Sequence, residues 1–188
     1  MELLKPWAIL TALTLCSAPA TAQTTFPTPP LKVKQRLGTT GFSIVLPNGL
    51  KVTPHTTAGV NLFLVTGPQL GDNALAVIPG TAEPPPNLDT ELDRTLSSLF
   101  NFVGGLLNGY SKQGNVKLES TTISKVANGY MSRTLFDVEL PSKQRVHVVA
   151  RSYLFGNRTV AMIYPDTTPN NNDDSRLAEA IMETLTSP

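Results

Sequence analysis

The sequence predicts an α+β fold in which an antiparallel sheet is packed by helices. Two observations support this fold class. In the middle of the chain, apolar residues recur every three or four positions, which is typical of one side of a helix. In the second half, strand-like runs are separated by short turn sequences, which is typical of an antiparallel sheet. We therefore expect a four-strand C-terminal meander packed by one long helix and a C-terminal helix.

The chain begins with a predicted signal peptide, residues 1–22. Residues 7–15 form an apolar run too short to span a bilayer, and residues 20–22 have the small-x-small pattern that signal peptidase accepts. We expect an exported protein of the periplasm or the extracellular space. The alternative is a lipid anchor on Cys16, the single cysteine, and a membrane is a partner only in that case. Leu15 favours cleavage, because lipid processing usually requires a small residue before the cysteine.

Charge and composition indicate the class of partner and the division of the chain into a linker and a domain. The chain has 15 basic and 14 acidic residues, a formal net charge of +1, so no nucleic acid is expected as a partner. Residues 23–38 begin with the Thr- and Pro-rich segment QTTFPTPP and are predicted to be a linker. Residues 39–188 are predicted to form a single domain.

The first half of this domain contains three predicted strands and the main helix. The strands lie around Ile44, after Val60 and after Asn73, each bounded by Gly or Pro. The helix follows three prolines, with Asn87 or Asp89 as its cap, and Gly104-Gly105 is expected to weaken its end. Its apolar residues recur at helical spacing: Leu88, Leu92, Leu96, Leu99, Phe100, Val103 and Leu107. We expect four of them to be buried against the meander: Leu96, Leu99, Phe100 and Val103.

The second half contains the meander and the closing helix. The predicted strands cover residues 116–126, 130–140, 145–155 and 158–164, separated by turns that include Asn-Gly and Gly-Asn. The face of the second strand that carries Phe136 and Val138 is expected to pack on a helix. A short helix with Leu177 and Ile181 on one side closes the chain.

The order of the predicted elements, together with several residues within them, resembles that of a known family. These residues are Gly41-Phe42 with Pro47, the run from Ala74 to Ile78, and the hairpin sequence from Gly129-Tyr130 through Tyr164. On these residues the chain resembles the PsbP-like superfamily, which includes PsbP, Mog and DcrB-type proteins, over about residues 39–185. The resemblance implies an antiparallel sheet packed by helices and used mainly as a non-enzymatic accessory or binding module.

Metal and cofactor sites are not expected. His55 and His147 have no neighbouring ligand at metal-site spacing, so both are predicted to be surface residues. Residues 166–174 gather Asp and Asn side chains, which calcium prefers, but they lack the ligand spacing of an EF-hand. A solvated loop with a helix cap is the favoured interpretation, and cation binding stays open.

Arg133, Arg151 and Tyr153 are the candidate partner-binding residues. Strand alternation places Arg151 and Tyr153 on one sheet face, and Arg133 joins them if the register of the neighbouring strand allows it. Arginine and tyrosine recur at the energetic centres of interfaces. The competing interpretation is that this face is merely solvated.

Two function classes remain. The first is a non-enzymatic accessory or binding protein that contacts an unidentified envelope or secreted protein. The second is a small-ligand or lipid carrier with an apolar pocket between helix and sheet. We expect no enzymatic activity, because no grouping of titratable residues for acid-base or nucleophilic catalysis is recognisable in the sequence.

Overall fold

The computed structural model describes residues 30–57, 59–82, 90–167 and 172–187. Within these ranges the chain forms nine strands, two α-helices and a short 3-10 turn. The strands are β1 (Val33–Arg36), β2 (Ser43–Leu46), β3 (Lys51–Thr57), β4 (Val60–Thr66), β5 (Leu75–Thr81), β6 (Asn115–Val126), β7 (Gly129–Glu139), β8 (Arg145–Phe155) and β9 (Arg158–Asp166). The helices are α1 (Glu91–Ser111) and α2 (Asn172–Glu183), and the 3-10 turn is Pro68–Leu70.

Seven strands form one sheet in the order β3-β4-β5-β9-β8-β7-β6. Every neighbouring pair in it is antiparallel. The other two strands, β1 and β2, pair with each other in a separate sheet. The predicted fold class is confirmed, including the four-strand meander β6 to β9.

The two helices cover opposite faces of the large sheet. Val148 and Val149 are neighbours on β8 and therefore point to opposite faces. Val148 belongs to the apolar cluster that contains Leu106 of α1, whereas Val149 belongs to the cluster that contains Ile181 of α2. The face of β7 with Phe136 and Val138 packs on a helix as predicted, and that helix is α1.

Two strands were not predicted. Residues 33–36, assigned to the linker, form β1, and Leu37 next to it is fully buried. The predicted linker boundary at residue 38 is therefore wrong, because the apolar side chain of Leu37 has a place in the core. Strand β3 was missed because it is polar and contains Pro54, a residue that sheets accept at an edge strand such as this one.

Helix α1 begins and ends later than the sequence indicated. Its cap is Thr90, whose hydroxyl accepts a hydrogen bond from the Asp93 amide at 3.1 Å. The predicted caps, Asn87 and Asp89, lie outside the described residues. Gly104-Gly105 does not end the helix, which continues for six more residues to Ser111.

The apolar side of α1 also differs in part from the prediction. Leu99 and Val103 are buried as expected, and Leu96 is half-buried. Phe100, in contrast, is 56% exposed, so its predicted burial is wrong. The buried side continues instead through Leu106 and Tyr110, three and four residues apart from their predecessors, which is the spacing that keeps side chains on one helix face.

The end of the chain is tied to the small β1–β2 sheet. After α2, the backbone of Thr186 pairs with Ser43, and their hydroxyl groups lie 2.7 Å apart. Leu177 and Ile181 are buried as predicted. Among the described residues, neither helix has the length and apolar character needed to cross a membrane. The predicted signal peptide and Cys16 lie outside those residues.

Candidate functional site

The structure brings the three predicted partner-binding residues together on one face of the sheet. Arg133 on β7 is the direct cross-strand partner of Arg151 on β8, and Met131 is the partner of Tyr153. Cross-strand partners share a face, so the register places Arg133, Arg151 and Tyr153 side by side. This is the face that α2 covers.

Two glutamates of α2 neutralise the two arginines. The carboxylate of Glu179 accepts two hydrogen bonds from Arg133, at 2.9 and 2.7 Å, which is the bidentate geometry. The same carboxylate accepts a bond from Nη2 of Arg151 at 3.1 Å, and Glu183 accepts another from that atom at 2.8 Å. We call these four side chains, Arg133, Arg151, Glu179 and Glu183, the α2 ion network.

The ion network shifts the pKa values of Glu179 and Arg151. Burial disfavours the charge of Glu179, but hydrogen bonds from Arg133 and Arg151 outweigh that effect and hold the pKa of Glu179 below its ordinary value. Desolvation likewise opposes the charge of Arg151, yet its hydrogen bonds, first the one to Glu183 and then those to Tyr153 and Glu179, leave the pKa of Arg151 raised. Both shifts favour the charged forms of Glu179 and Arg151.

The expectation of an exposed docking face at these residues is wrong. Arg151 and Tyr153 are each 5% exposed, because α2 lies over them. The Tyr153 hydroxyl donates to the backbone carbonyl of Met182 at 2.7 Å. Arg133, with a side chain 31% exposed, lies at the margin of the same contact. These residues hold α2 on the sheet, and a partner cannot reach Arg151 or Tyr153 in this arrangement.

A second group of polar side chains lies on the same sheet face. His147 on β8 is the cross-strand partner of Asp137 on β7, and Nδ1 of His147 lies 2.9 Å from Oδ1 of Asp137. Glu119 on β6 completes the group, with one ligand atom of each residue within 4.8 Å of the others. We call Glu119, Asp137 and His147 the carboxylate–histidine cluster.

The prediction of a surface residue at His147 leaves out its carboxylate partner. Its side chain is 25% exposed and has a carboxylate partner. Sequence spacing hides the group, since Asp137 and His147 are ten residues apart and meet through the register of a hairpin. His55, in contrast, lies exposed on the edge strand β3, as predicted.

The Asp- and Asn-rich segment is only partly described, because residues 168–171 lie outside the described ranges. Asp166, at its beginning, is 1% exposed and accepts a hydrogen bond from the Ser175 hydroxyl at 2.6 Å. Ser175 and Asp174 are also buried, in the first turn of α2. At these positions the segment is part of the interior, whereas the sequence predicted a solvated loop.

Large apolar side chains are exposed on the α1 side of the sheet. Leu92 and Phe100 of α1 are 48% and 56% exposed. Leu118 of β6 is 47% exposed and is the cross-strand partner of Phe136, which lies in the α1 cluster. All three residues are thus on the same side of the molecule. We call them the α1-side apolar residues.

No protein-family model and no curated protein sequence matches the chain. Solved structures do match it. The solution structure of cyanobacterial PsbP (CyanoP) from Synechocystis sp. PCC 6803 has a TM-score of 0.63 at 12% identity, over 90% of this chain and 98% of that one. The fold is PsbP-like.

Two further structures share this fold at lower similarity. LpqN, which is involved in cell envelope biogenesis of Mycobacterium tuberculosis, has a TM-score of 0.55 at 11% identity, over 83% of this chain and 90% of that one. A structure from Bacteroides thetaiotaomicron has a TM-score of 0.51 at 10% identity, over 79% of this chain and 45% of that one. At these identities the likeness concerns the fold, so the function must be argued from this chain's own residues.

Proposed function

We propose that this protein is an exported, non-enzymatic accessory or binding protein that acts by contact with an envelope or secreted protein. The observation that carries the proposal is the exposure of the α1-side apolar residues, Leu92, Phe100 and Leu118, on one side of the molecule. Protein-binding surfaces use exposed aromatic and aliphatic side chains of this kind as their contacts. These residues lie on the opposite side of the sheet from Arg151 and Tyr153, which α2 covers.

The fold comparison supports this class of function. LpqN, one of the structures with this fold, is involved in cell envelope biogenesis of Mycobacterium tuberculosis. The predicted signal peptide, residues 1–22, supports the exported location.

The packing of α1 favours a binding protein over a carrier. A carrier would need an apolar pocket between α1 and the sheet. At that place Leu106 and Tyr110 pack against Phe136 and Val138 in one cluster of buried side chains. The ring of Tyr110 meets that of Phe136 edge-on, with the ring centroids 5.1 Å apart.

Site-specific photo-crosslinking in the cells that produce the protein tests the proposal. A photoreactive side chain at Phe100 is expected to give a discrete crosslinked product with another exported protein. The control carries the same group at Asn108, an exposed polar position on the same helix. Phe100→Ser should weaken the interaction with the crosslinked protein at least tenfold, about 1.4 kcal/mol, without loss of folding.

Two results would contradict the proposal. If the probes at Phe100 and Asn108 crosslink to the same proteins at the same yield, the apolar residues of α1 do not form the contact. If native mass spectrometry of the isolated protein instead shows a bound small molecule, the carrier replaces the binding protein.

A further inference from the structure

The carboxylate–histidine cluster has the composition of a metal site. We infer that Glu119, Asp137 and His147 bind one divalent transition-metal ion, with Zn²⁺ as the ion that fits best. This inference is independent of the proposed function, because the cluster lies on the other face of the sheet from the α1-side apolar residues.

Rigid neighbouring strands position two of the three ligands. Asp137 and His147 are paired residues on β7 and β8, in the interior of the seven-stranded sheet. Their side chains are 21% and 25% exposed, so they are held by surrounding structure yet open to an entering ion. Ligands on strands are held more tightly than ligands on loops, which reduces the ordering that metal binding requires.

A β-bulge brings the third ligand to the pair. Lys117 and Leu118 pair with Asp137 and Phe136, but the next paired residue on β6 is Ser120. Glu119 is therefore an extra residue in the strand. Bulges redirect a side chain at the edge of a sheet, and here the carboxylate of Glu119 comes within 4.8 Å of the other two ligand atoms.

The size and charge of the cluster suit Zn²⁺. Ligand atoms bound to Zn²⁺ at about 2.0–2.1 Å lie about 3.4 Å apart in a tetrahedral site. A spread of up to 4.8 Å closes to that size through a change of side-chain rotamer at the exposed Glu119. Two carboxylates balance the charge of the ion, and the imidazole selects a transition metal over Mg²⁺ or Ca²⁺.

In the absence of metal, His147 and Asp137 form a hydrogen bond through Nδ1. Zn²⁺ bound at Nδ1 takes the place of the proton in this hydrogen bond, and the neutral imidazole carries its one N–H proton at Nε2. The bond formed is Zn–N, and no oxidation or reduction accompanies it. The hydrogen-bonded pair is therefore the metal-free form of the same site.

Isothermal titration calorimetry with ZnCl₂ tests the inference on the full chain without a histidine tag. The chain carries Cys16→Ser, because a thiol is itself a strong zinc ligand. We expect one ion per chain at micromolar affinity. His147→Gln and Glu119→Gln should each weaken the affinity at least tenfold, since loss of even an outer-sphere partner commonly costs about 10- to 100-fold.

His55→Gln is the matched control. His55 is the other histidine of the chain, and it lies on β3 with three strands between it and β8. Its substitution should leave the affinity unchanged. Glu119→Gln guards against unfolding, because Glu119 is exposed and its loss leaves the hydrogen bond between Asp137 and His147 in place.

NMR spectra of the histidine side chains provide a second readout. Zn²⁺ should shift the ring nitrogens of His147 and leave those of His55 in place. The inference is overturned if no binding occurs up to about 1 mM Zn²⁺. It is equally overturned if the two histidine variants lose affinity alike, or if Mg²⁺ binds as tightly as Zn²⁺.

Discussion

The two faces of the seven-stranded sheet are each covered by a helix, but different physical interactions hold the two helices. On the α1 face the contact is apolar, through Leu99, Val103 and Leu106. On the α2 face, apolar packing is accompanied by an ion pair between the buried Arg151 and the half-buried Glu179. Apolar contacts are non-directional, whereas an ion pair depends on both partners being present. The free energy of unfolding should therefore be most sensitive to the removal of side-chain volume on the α1 face. On the α2 face it should be most sensitive to the removal of one partner of an ion pair.

The largest loss of unfolding free energy is expected when a buried apolar side chain on the α1 face is shortened. Leu99→Ala should lower the free energy of unfolding by about 2–5 kcal/mol, because Leu99 is 1% exposed and its removal leaves a cavity. Phe100→Ala, at the next position, should change it by less than about 0.5 kcal/mol, since that side chain is mostly in solvent. Urea denaturation of both variants measures the difference. Equal losses would mean that α1 is rotated about its axis relative to this structure.

A smaller effect is expected from a lost partner on the α2 face. Glu179→Gln removes the charge that Arg133 and Arg151 share. We expect a loss of about 2 kcal/mol, less than the ~3–5 kcal/mol of a fully buried pair, because solvent screens the partly exposed Glu179. Glu183→Gln is the control. Its side chain is 64% exposed, so we expect at most about 1 kcal/mol.

The same variant should alter the response to acid. Because the folded state lowers the pKa of Glu179, this group adds stability above its unfolded pKa, about 4.3, and the contribution is lost as the pH falls through the lower folded pKa. Denaturation midpoints measured from neutral pH down to about pH 3 should fall less steeply for Glu179→Gln than for the wild type. Parallel pH curves for the two proteins would contradict the role of Glu179.

The contrast between the faces also explains which elements the sequence could predict. Leu99 and Val103 have helical spacing, and Phe136 and Val138 have strand spacing, so apolar periodicity was sufficient to predict the α1 contact. Phe100 was assigned to the wrong side because it belongs to the same run of residues three and four apart. Its exposure depends on where α1 meets the sheet, which spacing does not determine.

The α2 face could not be predicted in the same way. Arg151 is a charged residue on an antiparallel strand, and such residues usually face solvent. Its charge is tolerated in a buried position because Glu179 and Glu183 accept hydrogen bonds from it. These glutamates are 28 and 32 residues further along the chain, so no local pattern indicates the contact.

The carboxylate–histidine cluster was hidden by register. The sequence predicts a turn between Leu140 and Arg145, whereas in the structure Glu139 pairs with Arg145. This difference of one residue decides whether Asp137 faces His147 or its neighbour, because a shift by one residue exchanges the two faces of a strand. The bulge at Glu119 adds a second change of register that no local pattern indicates.

The smallest changes in unfolding free energy are expected from Tyr→Phe substitutions at two tyrosines, one on each side of the sheet. Tyr110 of α1 is 4% exposed, and its hydroxyl has no hydrogen-bond partner among the described residues. Burial raises the pKa of Tyr110, so the group stays protonated and uncharged. Tyr110→Phe removes a desolvated hydroxyl and keeps the ring against Phe136. Its stability should stay the same or rise by up to about 1 kcal/mol.

Tyr153→Phe, on the α2 face, should have the opposite sign. The Tyr153 hydroxyl donates to the carbonyl of Met182 at 2.7 Å, so its removal leaves a buried acceptor without that donor and should cost about 1 kcal/mol. The two variants delete the same atom from the two faces, and paired denaturation curves compare them directly. If Tyr110→Phe were as destabilising as Tyr153→Phe, the hydroxyl of Tyr110 would have a partner, and the α1 face would depend on a polar contact as the α2 face does.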